Sequence, residues 1–146
     1  KSQLVQSLAS LESTHQFQII FFNHELRIFD LTDGQRRLPF ATDTVKQTAA
    51  RWVASISAFG NTKRFEALRK GVAFRPDVVF FLTDDDNPMT AAELDAIRRK
   101  NQGRAAIHVI QFGYGHGSGD DNFLSRLARQ NGGTYTYVDS AELGSW

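Results

Sequence analysis

A chain of 146 residues has room for one domain, large enough to bury about two-thirds of the surface its unfolded form would expose, and none for a second of ordinary size. Its 17 Lys and Arg nearly cancel 16 Asp and Glu, and the net charge of +1 gives no broad field for nucleic acid or a membrane surface. The absence of cysteine excludes disulfides, thiolate metal sites and thiol catalysis, and no stretch is long and apolar enough to span a bilayer.

The chain begins at Lys1 without an initiator methionine and is expected to be an excised part of something longer, in a compartment the sequence leaves open. Leu4, Val5, Leu8 and Leu11 share one helical face, which predicts an amphipathic helix over Ser2–Glu12. Phe17–Phe22 and Glu25–Phe29 read as strands, and with only Asn23-His24 between them a hairpin is the economical connection. Asp33-Gly34 marks a turn and Pro39 a break. Behind a Thr42-Asp43-Thr44 cap, Val45, Ala49, Trp52, Val53 and Ile56 recur at helical spacing. Gly60-Asn61-Thr62 interrupts that pattern, and Phe65, Leu68 and Val72 restart it in a short helix.

Val78-Val79-Phe80-Phe81-Leu82 follows, apolar without alternation behind Pro76, as suits a parallel strand buried on both faces. It empties into Thr83 and three aspartates, Asp84, Asp85 and Asp86. Open α/β sheets hold their ligands beyond the carboxyl ends of such strands, so this loop is the candidate site; the plainer reading is a polar turn that terminates a strand. Thr90-Ala91-Ala92-Glu93 has capping-box spacing and opens a helix through Leu94 and Ile97 that Gly103 closes. Ala105–Phe112 is the next strand. A glycine-rich loop, 113–119, leads to a helix over Asp120–Asn131, then Gly132-Gly133 and a last strand, Thr134–Val138.

The order α-β-β-α-α-β-α-β-α-β points to an α/β fold, a mostly parallel sheet with helices on both faces. The first helix has a full apolar stripe and no strand upstream to cross from, as though a strand were missing from the front.

Thr83-Asp84 after Val-Val-Phe-Phe-Leu, Gly60-Asn61-Thr62 one short helix earlier, the Phe-Gln-Ile-Ile-Phe-Phe hairpin, and Leu127-Ala128 followed by Gly132-Gly133-Thr134-Tyr135 together resemble a von Willebrand factor A domain over nearly the whole chain. The resemblance implies a three-layer doubly wound, Rossmann-like sheet of about six strands with one antiparallel edge strand, here lacking its first central strand. It also implies a protein-binding or adhesion function with no enzymatic step, through a Mg²⁺ site (MIDAS-like) at the carboxyl edge of the sheet. In the family three loops supply ligands: an Asp-x-Ser-x-Ser, a threonine in a Gly-Gly-Thr-like loop and an aspartate in a Thr-Asp-Gly-like loop. Thr62 matches the second and Asp84 the third, with Asp85 and Asp86 as further oxygen donors, and Gly60, Asn61, Asp85 and Asp86 as residues facing a partner. The first motif has no counterpart, Asn61 replaces the second glycine, and Asp85 replaces the glycine after the aspartate.

Mg²⁺ takes octahedral oxygen coordination at about 2.1 Å and keeps several waters, so Thr62 and Asp84 supply about half a site. Mg²⁺ is therefore expected in a complete parent domain and to bind weakly or not at all to this chain, whose expected partner is a protein. The unfilled place in the sheet is expected to be closed by Phe17–Phe22 pairing with Val78–Leu82, or by a neighbouring copy in a homodimer, since open strand edges template pairing. The competing function is a Mg²⁺-dependent phosphotransferase or phosphohydrolase with strand-end aspartates holding metal and phosphate, for which Lys63 is the nearest anchoring candidate.

Other residues read blandly. Loop 113–119 lacks the Gly-x-Gly-x-x-Gly spacing and a following glycine-lysine pair, so a mobile loop outweighs a nucleotide cradle. His108 fits a packed or edge histidine, and His24 and His116 fit solvated turns. Arg98-Arg99-Lys100 complements a helix carboxyl end, and Ser118 has no nucleophile elbow around it.

Overall fold

A computed structural model describes residues 1–32, 34, 37–57, 63–84, 87–117 and 121–142. Its elements run α1 (Ser2–Ala9), β1 (Ile20–Phe22), β2 (Leu26–Ile28), α2 (Asp43–Ser55), α3 (Arg64–Ala73), β3 (Val78–Thr83), α4 (Ala91–Asn101), β4 (Ala106–Gly113), α5 (Phe123–Gln130) and β5 (Tyr135–Asp139), the succession that periodicity predicts. They fall into two compact units, Lys1–Lys63 and Arg64–Trp146.

In the first unit β1 and β2 pair antiparallel, Ile20 opposite Ile28 and Phe22 opposite Leu26. The turn holds three residues, because Asn23 Oδ1 accepts from Glu25 N–H and Asn23 N–H donates to Glu25 O, a side chain standing in for a backbone bond. The first strand is shorter than expected because its leading residues pair elsewhere. Gln16 bridges Phe40, and Phe17 N–H donates to Pro39 O. Lys46 Nζ donates to Ala9 O and Leu11 O, taking carbonyls at the end of α1 that have no intrahelical partner. Thr42 caps α2 as its sequence predicts, accepting from Val45 N–H. Leu8, Phe17, Ile19, Phe29, Ala41, Ala49 and Val53 form the core; Phe17 stacks on Phe29, and the partly buried Trp52 sits 5.6 Å from Phe21 and 5.5 Å from Phe29.

The second unit is a three-stranded parallel sheet, β3-β4-β5, joined by α4 and α5. Val78 lies opposite Ala106 and Thr83 opposite Gln111; Val109 lies opposite Tyr135 and Gly113 opposite Asp139. Phe81, Ile107 and Val109 point into the core beside Leu68, Leu94, Ile97, Leu124 and Leu127, all buried. Thr90 and Glu93 complete the expected capping box of α4. Asn122 caps α5 reciprocally with Ser125, so that helix starts later than the apolar stripe alone predicts.

The α/β class stands, with three corrections of arrangement. The five strands do not form one sheet: β1 and β2 make a separate antiparallel pair, so the antiparallel element is no edge of the parallel sheet and the direct pairing of Phe17–Phe22 with Val78–Leu82 is absent among the described residues. Nor is β3 covered on both faces. Val78, Phe80 and Leu82 are 43%, 67% and 47% exposed. The helices of this unit gather on the other face, where Tyr135 reaches the cap of α5 and the Arg64 guanidinium at the start of α3 lies over the Phe123 ring. An unalternating apolar run does not reveal which faces receive cover. Of the two roles expected for His108, packed or edge, the structure shows the packed one: on the central strand β4 its ring stacks on Phe80 at 5.4 Å, and Nδ1 accepts from Thr134 N–H.

Candidate functional site

The site is built at the carboxyl ends of β3, β4 and β5. β3 ends in Thr83, buried because it alternates in phase with Phe81, and the chain then turns outward so that the next residue, Asp84, is exposed. Beside Thr83 in register lies Gln111, also buried, a polar residue where the inward positions of β4 are otherwise Ile107 and Val109. Tyr135 OH donates to Gln111 Oε1 at 2.7 Å and accepts from Asn122 Nδ2 at 3.2 Å. A hydrogen-bonded chain thus runs from the cap of α5 across β5 to β4, and Thr83 adjoins its end. Burying these groups is tolerable because they are paired with one another.

Arg64 adds a buried cation, its guanidinium 5.4 Å from the centre of the Phe123 ring, a geometry in which the ring face favours positive charge. The glycine-rich loop lies against Tyr137. A Cβ on Gly117 would stand 2.8 Å from the ring, and one on Gly113 would stand 2.5 Å from the phenol oxygen, so a side chain at either position would require Tyr137 to shift. Partial burial, with Asp139 and Tyr135 nearby, pushes the Tyr137 phenol above its ordinary value. At the same loop Tyr114 is 84% exposed.

Of the residues expected at a metal or partner site, the structure places Asp84 at the rim; Gly60, Asn61, Thr62, Asp85 and Asp86 lie outside the described residues. Lys63 is half-buried and closes the first unit. Among the described residues no three His, Asp or Glu side chains gather around a position that could hold a metal ion. Tested against Mg²⁺, the described donors fall short: Asp84 offers one carboxylate, Thr83 is buried, and the Gln111 amide oxygen is taken by Tyr135. They do not make the ion's site by themselves.

Gln111, Tyr135, Asn122 and Arg64 were not singled out by sequence reasoning. A signal existed for two of them. Gln111 is the polar exception in the two-residue period of β4, and Asn122 precedes an apolar helical stripe with Ser125 three residues on. Separately, a polar recess of about 270 Å³ in the first unit is lined by Asn23, His24, Glu25, Arg27, Ser55 and Ser57, with an exposed Glu25–Arg27 pair at 3.7 Å. Its charges face solvent, where they attract weakly.

Among solved structures the chain is similar to a von Willebrand factor type A protein from Catenulispora acidiphila, with a TM-score of 0.72 over 95% of the present chain at 17% identity. The fold is that of a von Willebrand factor A domain. The chain spans 33% of the length of that relative, so the likeness concerns that third alone. No family model and no curated protein matches the sequence. At 17% identity what the two chains share is architecture, and the residues of the rim have to be judged on their own chemistry.

Proposed function

We propose that this chain is a protein-binding module of A type, which docks a partner through the rim around Asp84 and performs no covalent chemistry. The observation that carries the reading is the step from buried Thr83 to exposed Asp84 at the end of β3, set on the paired chain of Gln111, Tyr135 and Asn122. An exposed carboxylate at the end of a strand, beside a satisfied polar layer, stands where a docking partner can reach it. Loop residues on a rigid scaffold are the usual carriers of such recognition. The sequence carries no Asp-x-Ser-x-Ser, and titration with Mg²⁺ in a calorimeter is expected to show no stoichiometric site tighter than about 100 µM.

The test compares immobilised wild-type chain with Asp84→Ala. A defined protein retained by the first and released by the second, identified by mass spectrometry and confirmed with purified components, is the expected result. Equal retention by both removes Asp84 from the interface. Mg²⁺-dependent turnover of generic phosphate esters that Asp84→Asn abolishes would replace the binding reading with a phosphohydrolase.

A further inference from the structure

Among the described residues the outer edge of β5 has no strand beside it. Its hydrogen-bond phase is fixed at both ends: Val109 N–H donates to Thr134 O at 2.8 Å, and Ser140 N–H donates to Gly113 O. Between these points the bonds to β4 belong to the even-numbered residues, so the N–H and C=O groups of Tyr135 and Tyr137, and the N–H of Asp139, point away from the sheet. Among the described residues none of these five groups has a main-chain partner, since β5 pairs with β4 alone and Asp139 O is engaged only by Glu142 N–H. The strand carries no proline and no lysine, the residues that ordinarily blunt such an edge.

We infer that β5 pairs antiparallel with β5 of a second copy of this chain, about a two-fold axis through Tyr137, extending the three-stranded sheet across the dimer. In that register Tyr137 meets Tyr137 of the other copy, and Tyr135 meets Asp139. Tyr137 then exchanges two bonds with its counterpart, each Asp139 N–H donates to Tyr135 O, and each Tyr135 N–H reaches the second lone pair of Asp139 O, whose first takes Glu142 N–H, about six bonds in total. Charge permits it: Asp139 is the one ionised residue in the strand and falls opposite a neutral tyrosine, so no like charges are apposed. An extended peptide of another sequence would need its own reason for this register, whereas the strand is its own complement. Edge pairing alone buries less surface than a permanent dimer, so the association is weak, with a dissociation constant on the order of 100 µM. This inference stands on β5 and does not depend on how the Asp84 rim is used.

Sedimentation equilibrium of the 146-residue chain from about 10 µM to 1 mM, with residue-resolved amide exchange at both limits, tests it. Expected are a mass that climbs toward the dimer and concentration-dependent slowing of exchange at Tyr135, Tyr137 and Asp139, by about tenfold. The double substitution Thr136→Lys with Val138→Lys places lysines directly opposite one another across the axis and is expected to abolish both effects. If that variant does not fold, the wild-type exchange pattern decides alone. A monomer throughout overturns the proposal. So does a dimer whose protected amides lie on β3, or protection at Tyr137 that appears only when a heterologous extended peptide is added.

Discussion

At the amino ends of β4 and β5 two buried asparagines are tied to each other and to backbone. Asn101 Nδ2 donates to Ala105 O and to Asn131 Oδ1, Asn101 Oδ1 accepts from Ala105 N–H, and Asn131 Nδ2 donates to Leu127 O. Gly133 lies so close to Ile107 that a Cβ would overlap its carbonyl. At the carboxyl ends of the same strands, polar side chains are also paired underneath, yet they lead outward to an exposed carboxylate and an exposed tyrosine. One end closes the backbone of two helices and two strands with few chemical groups to spare, and the other spends its polar groups on holding loops. The difference separates what keeps this unit folded from what it can present to another molecule.

The largest effect should come from the closed end. Gly133→Ala forces main chain against main chain, and chemical denaturation is expected to show a loss of about 3 kcal/mol or more. A loss under about 1 kcal/mol would mean the two strands can part there, and the contrast would go with it. Asn101→Ala strands Ala105 N–H and the Asn131 amide in the interior, at an expected cost of about 2–3 kcal/mol in the same measurement. Tyr135→Phe keeps the ring but removes one hydroxyl from the open end; about 1 kcal/mol is expected, with faster amide exchange in the first turn of α5.

The smallest effect lies away from both ends. Hydrogen bonding from Arg98 holds the Asp95 carboxyl below its ordinary value of 3.8, and bonds from Thr32 and Gly34 do the same for Asp30. A carboxyl lowered by folding stabilises above its unfolded value and loses that contribution as pH falls through the folded one. Asp30→Asn and Asp95→Asn should each flatten the decline of stability below about pH 4 and change little at neutral pH. Acid sensitivity that instead vanishes in a rim variant would give the open end a structural role it lacks here.

How much of this was legible in the sequence depended on whether the cause was local. The helices declared themselves through their apolar spacing and through Thr42, Thr90 and Glu93, whose capping bonds reach only three residues. Asp84 was legible because an apolar run ended beside it. The strand Phe17–Phe22 was overestimated, since the bridge from Gln16 to Phe40 that shortens it spans a long loop. The bare face of β3 could not be read from Val78, Phe80 and Leu82, because a period-two pattern says which residues share a face and says nothing of what arrives to cover it. Arg64 stayed hidden for a related reason. It sits four residues before Leu68 on the inward side of α3, and the Phe123 ring that its guanidinium lies over comes from α5, far along the chain.

The aromatic cluster around Trp52 has a practical corollary. All three tyrosines of the chain, Tyr114, Tyr135 and Tyr137, belong to the second unit, while Trp52 is wedged between Phe21 and Phe29 in the first. With Trp146→Phe in place, indole emission reports the melting of one unit and phenol absorbance that of the other. A single sample heated once then tells whether the halves come apart together or in succession.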